Sequence, residues 1–199
     1  MHTAGLGGRA VAEDPAPASA AVVLVRALLV LVATALAARI HVPLAEASAP
    51  FTLQTLAVLL AAPLAGVRAG TLGMALYLLA GGLGAPVFSG GGSGWTALIG
   101  PTAGFLWAFL CVVPVMGLVY RRMAGAPTLT WFGIFALGHV LILLPGFGWL
   151  LAQGLVSDLL GSVLPLLPGM ILKTMLATGI LHFAMPGLRR RDPLRGDGV

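Results

Sequence analysis

Charged side chains are scarce in this chain. Asp, Glu, Lys and Arg together make up 9% of it, against about 25% in soluble domains. A soluble enzyme of this composition has nothing to cover its surface. Lysine occurs once, at Lys173, and cysteine once, at Cys111. A single cysteine excludes a disulfide or a multi-Cys metal site within one chain. The pattern G-x-x-x-x-G-K-[ST] does not occur, so this chain has no P-loop with which to hydrolyse ATP. The net charge of +5 comes almost wholly from arginines at the ends of apolar runs. No basic helix face interleaved with aromatics is present, so the charge is not a nucleic-acid footprint.

What is abundant is apolar. Hydrophobic residues make up 59% of the 199-residue chain, and the mean hydropathy is +1.03. The composition describes an all-α integral membrane protein with one membrane domain. Residues 1–19 are rich in Gly, Ala and Pro and read as a disordered cytoplasmic tail. Residues 20–186 read as the membrane domain and 187–199 as a basic cytoplasmic tail. The first apolar run, 20–38, is long enough to span a bilayer core of roughly 30 Å. An A-x-A-like site at Ala47-Ser48-Ala49 raises the alternative of a signal peptide. The intervening Arg39 and the acidic pair Glu13-Asp14 argue against cleavage there.

Five further apolar segments follow, at 51–66, 69–83, 101–120, 130–147 and 168–185. The first of these is short and carries Pro63, so it is also compatible with a re-entrant segment. Arginine placement decides. With six crossings and an inside N-terminus, every arginine except Arg39 falls on the cytoplasmic side, as the positive-inside bias requires. Five crossings move Arg68, Arg121, Arg122 and the C-terminal arginines outside. The expectation is therefore six transmembrane helices with both termini cytoplasmic, in the plasma (inner) membrane. The outer connections, 41–50, 85–100 and 148–167, are then the long ones. Long loops on one side suggest a ligand site facing outward.

Three features carry possible chemistry. Lys173 lies about 8 Å below the outer end of the last helix, counted from Pro168 at about 1.5 Å per residue. It either snorkels to the outer headgroups or binds a ligand. Gly169 and Ala177 share its stripe, which suits a face turned to packed helices or a cavity. Intramembrane ionisable residues are functional candidates by default, and an anionic ligand would relieve an ammonium placed near a positive helix N-terminus. The glycine run 90–94 frees the backbone for close approach, with Trp95 beside it either as a wall or as part of an interfacial aromatic belt. Its "GGSG" also matches the G-x-S-G of rhomboid intramembrane proteases, with Ser93 as nucleophile and His139 or His182 as base. His182 is on the wrong side for Ser93, whereas His139 is near mid-helix. The third feature is small-residue spacing in the first helix, Ala33 with Ala37 and Thr34 with Ala38. It serves either internal packing or docking of another membrane protein.

The run "PFTLQTLAVLLAAPLAGVRAGTLGMALYLLAGGLGAPVFSGGGSGWTALIGPTAGFLWAF" and the later "LPGMILKTMLA" together resemble the BioY family. These are the substrate-specific S components of biotin transporters of the energy-coupling factor (ECF) type. The resemblance implies a six-helix membrane fold that captures biotin from outside. It implies as partners a transmembrane coupling protein and a pair of cytosolic ATPases, with Ala33 and Ala37 mapping to the coupling-protein contact. It implies no cofactor and no catalysis. Two departures stand out. The family's P-G-D-x-x-K is here Pro168-Gly169-Met170-Ile171-Leu172-Lys173, and its G-G-Y is Ala103-Gly104-Phe105. A carboxylate and a hydroxyl are lost, each worth about 1–3 kcal/mol where it bonds a buried ligand group. Asp158 or Glu46 is the candidate replacement as lysine partner.

The reading that combines these is a biotin-capture subunit. Lys173 pairs with the ligand carboxylate. Phe51, Thr52 and Gln54, with Phe88, Gly90, Trp95, Thr102 and Phe105, close over the ring, and Met170 adds apolar wall. The rivals are an S component for a different vitamin and the Ser93 hydrolase.

Overall fold

Backbone N–H and C=O groups inside a bilayer must pair within the protein, which an apolar run achieves by becoming a helix. The computed structural model describes residues 18–42, 51–123 and 125–190. Its elements in chain order are α1 (Ala20–Arg39), β1 (His41–Val42), β2 (Phe51–Thr52), α2 (Gln54–Ala65), α3 (Val67–Gly82), α4 (Trp95–Ile99), α5 (Ala103–Met123), α6 (Thr128–Ala152), α7 (Leu159–Val163) and α8 (Leu167–Arg190). Short 3-10 turns occupy Ser89–Gly91 and Leu164–Leu166. Each of the six apolar segments is helical, as α1, α2, α3, α5, α6 and α8. The A-x-A site and Glu46 lie outside the described residues, as do most of the two tails.

The six helices are unequal. Four helical stretches are long and apolar enough to cross a membrane: Ala20–Arg39, Ala103–Met123, Thr128–Ala152 and the run Leu159–Ala184. The 12 residues of α2 extend only about 18 Å. This helix sits in the middle of the bundle. It packs on α1, α3, α5, α6 and α8, and Val58 to Pro63 are all buried. A helix apolar on every side is one with neighbours on every side. Between α2 and α3 the chain turns on the single residue Gly66, at φ 91° and ψ 154°, a region essentially reserved for glycine.

The connections expected on the outer side differ from the loops anticipated there. Of 148–167, only residues 153–158 are irregular. Helix α6 runs on to Ala152, and the chain re-enters helix at α7, where the Asp158 carboxylate accepts from Gly161 N–H at 3.0 Å. An N-cap of this kind satisfies a donor that the helix leaves open. The 3-10 turn then leads into α8, whose first residue is Leu167, so Pro168 falls in the first turn, where its missing N–H costs nothing. The stretch 85–100 likewise holds a 3-10 turn and α4.

Helices α6 and α8 run antiparallel. Thr128 Oγ1 lies 3.1 Å from His182 Nδ1 near one end, and Thr174 Oγ1 lies 3.2 Å from His139 Nδ1 midway. On α1 the buried face is Ala27, Val30, Thr34 and Ala38, packed on α3 and α2. Ala33 is exposed and Ala37 half-buried. The two small-residue pairs thus part company: Thr34 and Ala38 serve internal packing, whereas Ala33 faces away from it.

Candidate functional site

Near the α2, α5 and α8 N-termini the bundle holds a cavity of about 340 Å³. That is the lower end of the range for small-molecule sites. Its walls come from β2, the first turn of α2, the glycine-rich loop, the first turns of α5 and α8, and the middle of α6. Most of the lining is apolar, notably Phe88, Phe105, Leu106, Phe109, Leu143 and Met170. A few polar groups interrupt it, and they are placed by identifiable contacts.

Lys173 is one of them. It is 4% exposed, lines the cavity, and donates from Nζ to the Thr52 carbonyl oxygen at 3.1 Å. Helical side chains lean toward the N-terminus, which takes the ammonium from the second turn of α8 back toward β2. Thr52 is held there by pairing of the two short strands, His41 opposite Thr52 and Val42 opposite Phe51. The Leu53 N–H adds a bond to the Ile40 carbonyl at 3.2 Å. The lysine thus faces inward. Asp158 is committed to its cap and exposed, so it does not take the place of a carboxylate at position 170.

Gln54 heads a second polar group. Its Nε2 donates to the Tyr77 hydroxyl at 2.6 Å, and Tyr77 Oη donates to the Val87 carbonyl at 3.1 Å. The Thr52 hydroxyl donates to Gln54 Oε1 at 3.1 Å. This chain ties β2 and α2 to α3 and to the entry of the glycine-rich loop. Phe88 follows directly, packed edge-on against Tyr77 with centroids 5.4 Å apart and seated in the notch left by Gly81. Beyond it Gly90, Gly91 and Gly94 have φ of 65°, 83° and 84°, the left-handed region that other residues enter at a cost. The Arg39 guanidinium lies over this loop and donates to the Pro86 carbonyl.

Opposite α8, His139 is 1% exposed and lines the cavity. Its Nδ1 lies 3.0 Å from the Phe135 carbonyl oxygen and 3.2 Å from Thr174 Oγ1. Neither His139 nor His182 has Ser93 among its hydrogen-bond partners. Ser93 is also not part of the cavity wall. The base–nucleophile contact that activates a serine is therefore not formed.

Of the residues expected at the site, Thr52, Gln54, Phe88, Gly90, Thr102, Phe105, Met170 and Lys173 all line one cavity. Trp95 does not: it is 62% exposed at the start of α4. The φ of 84° at Gly94 turns the chain out of the loop just before it. For Phe51 only the backbone, paired in β2, is described. The sequence reading missed several lining residues, Thr55, Ala97, Leu106, Phe109, Leu143 and Leu166 among them, and it weighed His139 only as a catalytic base. A 3.6-residue period marks which residues share a face, but five helices contribute here and their relative rotation has no local signature.

The BioY family matches this chain over residues 12–190. Biotin transporter BioY2 of Lactococcus lactis subsp. cremoris is 44% identical over 101 residues, covering 51% of this chain and 55% of that protein. Biotin transporter BioY of Thermotoga maritima is 37% identical over 91 residues, covering 46% and 54%. The chain thus spans about half the length of these curated relatives in each match. Among solved structures, a crystal structure of the S-component for biotin from an ECF-type ABC transporter superposes with a TM-score of 0.71. It does so at 22% identity, covering 80% of this chain and 88% of that one. That likeness establishes a common fold. The PFTLQTL and PGMILK segments both contribute to the cavity wall, and the family match over residues 12–190, which takes in all the described residues, establishes that this chain belongs to the BioY family.

Proposed function

We propose that this protein is the membrane-embedded substrate-capture subunit of an ECF-type biotin importer. The observation that carries it is the cavity itself, mostly apolar and with the chain's one lysine in its wall. Biotin combines an anionic carboxylate with an apolar thiophane and a neutral ureido ring. Lys173 supplies a charge-assisted partner for the carboxylate, Phe88, Phe105 and Met170 pack on the ring system, and Thr52, Gln54 and Thr102 set its orientation. Trp95 belongs to the interfacial belt.

The chain crosses the plasma membrane six times with both termini cytoplasmic, a reading supported by its arginine distribution. It opens the cavity outward. Delivery inward depends on a transmembrane coupling protein and two cytosolic ATPases, since the chain lacks a P-loop. The exposed Ala33 side of α1 is the docking face.

The test is binding of radiolabelled biotin to purified protein. Lys173→Ala is expected to abolish most of it, and unchanged affinity would sink the assignment. A thermal-shift screen across vitamins addresses the rival specificity favoured by the thioether of Met170 in the wall. Stabilisation by another vitamin and not by biotin would replace the proposed substrate.

A further inference from the structure

One part of the cavity wall is held by two tryptophans that do not themselves line it. Helices α2, α5, α6 and α8 supply much of the wall and pack on one another. The stretch 88–102 supplies most of the rest, including Phe88, Gly90, Ala97 and Thr102. Within it α4 has five residues, too few to be stable without outside support. A helix also leaves its last carbonyls without partners of its own. Here other helices serve them. The Leu98 carbonyl accepts from Trp107 Nε1 of α5 at 3.0 Å, and the Gly100 carbonyl accepts from Trp149 Nε1 of α6 at 2.9 Å. Gly100 accepts as well from Ala103 N–H at 3.0 Å, so one carbonyl joins the end of α4 to the start of α5 and to α6. The buried Leu98 side chain lies against Gly82 of α3. The short helix is thus fixed to α3 by a side chain and to α5 and α6 through its carbonyls.

Both indoles are on the exposed side of their helices. An exposed indole in a membrane protein ordinarily turns its N–H to water or headgroups. These two turn it to a backbone carbonyl of the protein. The placement of Trp149 is built into the packing, since it sits over Gly104, where a Cβ would stand 2.5 Å from its own Cβ. One residue on, Phe105 fills the notch at Gly146 and meets Phe147 edge-on at 5.5 Å. The register that brings Trp149 to Gly100 is therefore the one that sets Phe105 in the wall. We infer that Trp107 and Trp149 are positioning residues for ligand retention, their indole N–H groups holding α4 and the turn at Gly100 closed so that Ala97 and Thr102 stay against the ligand. This joint has the least packing of its own, so it opens before the long helices part, and its opening sets how fast the ligand leaves. The inference deepens the reading of the cavity as a biotin site and rests on it.

The experiment measures the release of radiolabelled biotin, chased with unlabelled biotin, from the purified full chain in detergent. Trp107→Phe and Trp149→Phe each keep an aromatic ring and remove the N–H. Each is expected to speed release by roughly threefold to tenfold, the scale of one lost hydrogen bond, and the double variant by more than either. The unfolding temperature of the ligand-free protein is expected to move little, because local opening does not require global unfolding. Trp95→Phe, on the exposed face of α4, is expected to release biotin at the wild-type rate. In wild type carrying isotope-labelled tryptophan, the indole protons of Trp107 and Trp149 are expected to exchange with deuterium more slowly than that of Trp95, as read by NMR. Folded variants that release biotin at the wild-type rate overturn the inference. So does faster release matched by an equal loss of global stability, which would make the indoles supports of the bundle and not of the joint. Wild type whose three indole protons exchange equally fast overturns it even where the variants do not fold, and that comparison needs no ligand. Wild type that binds no biotin overturns the biotin reading and, with it, this inference.

Discussion

The polar side chains of the cavity are held by bonds that each tie two elements together, so single changes should be felt both in stability and in binding. Tyr77, the partner of the lining residue Gln54, shows this most directly. Its hydroxyl accepts from Gln54 and donates to the Val87 carbonyl, in a site where neither partner has water as an easy substitute. Tyr77→Phe keeps the ring edge-on against Phe88 and removes both bonds. The expected loss is about 1–3 kcal/mol, read as a lower unfolding temperature in detergent and as weaker biotin binding by titration calorimetry. Gln54→Leu should lose binding as well, but with a smaller loss of stability, because it removes the donor together with its need for an acceptor. Lys173 is the other residue whose setting is informative. Its 4% exposure excludes snorkelling as its resting position and leaves it as cavity wall.

Among elements, the glycine-rich loop and the α2–α3 turn use glycine for different reasons. Gly90 has φ 65° and open space around its Cα, whereas a Cβ at Gly91 would meet the Arg39 guanidinium at 3.1 Å. Gly90→Ala should therefore cost only the left-handed backbone penalty, about 1–2 kcal/mol. Gly91→Val adds a clash with the one arginine that lies over the loop, and is expected to weaken biotin binding further, chiefly through a faster off-rate in surface binding kinetics. At Gly66, ψ is 154° with φ 91°, outside the left-handed helical well, so even alanine is strained by about 1–3 kcal/mol. Gly66→Ala should lower the unfolding temperature of ligand-free and biotin-loaded protein alike, since the turn is remote from the cavity. A selective loss of the loaded form's extra stability would contradict that separation.

For the whole molecule, the two faces of α1 predict opposite consequences. Ala33→Trp enlarges an exposed position and should leave biotin binding intact while preventing co-purification with the coupling protein. Thr34→Trp enlarges a fully buried one and should destabilise the bundle, since overpacking a filled core costs about 1–3 kcal/mol or more. Topology is checked by labelling single cysteines in a Cys111→Ser background. Positions 68 and 122 should react only from the cytoplasmic side, and position 39 only from the outside.

Much of this was legible in the chain. Six apolar segments became six helices, because apolar length and the obligation to pair the backbone are local properties. Family membership and eight of the cavity-lining residues were legible because the motifs that carry them are contiguous. Counting helical rise placed Lys173 in the second turn of its helix, but whether it snorkelled or faced a cavity stayed open in the sequence. Other features were settled by tertiary structure. α2 is too short to span a bilayer core alone and occupies the bundle centre, which depends on what its neighbours cover. The stretch 148–167 is largely helical because α6 runs on to Ala152 and Asp158 caps a new helix, with Val156 and Leu166 as the buried residues of the far side that cluster with Phe147 and Leu150 of α6. Trp95 turns away because of the dihedral angles of Gly94. His139, readable as a histidine in an apolar helix, lines the cavity and meets Thr174 only because three-dimensional packing brings α6 and α8 together. A helix's sequence determines which residues share a face. What that face meets depends on rotation and crossing against the other helices, and no single segment encodes that.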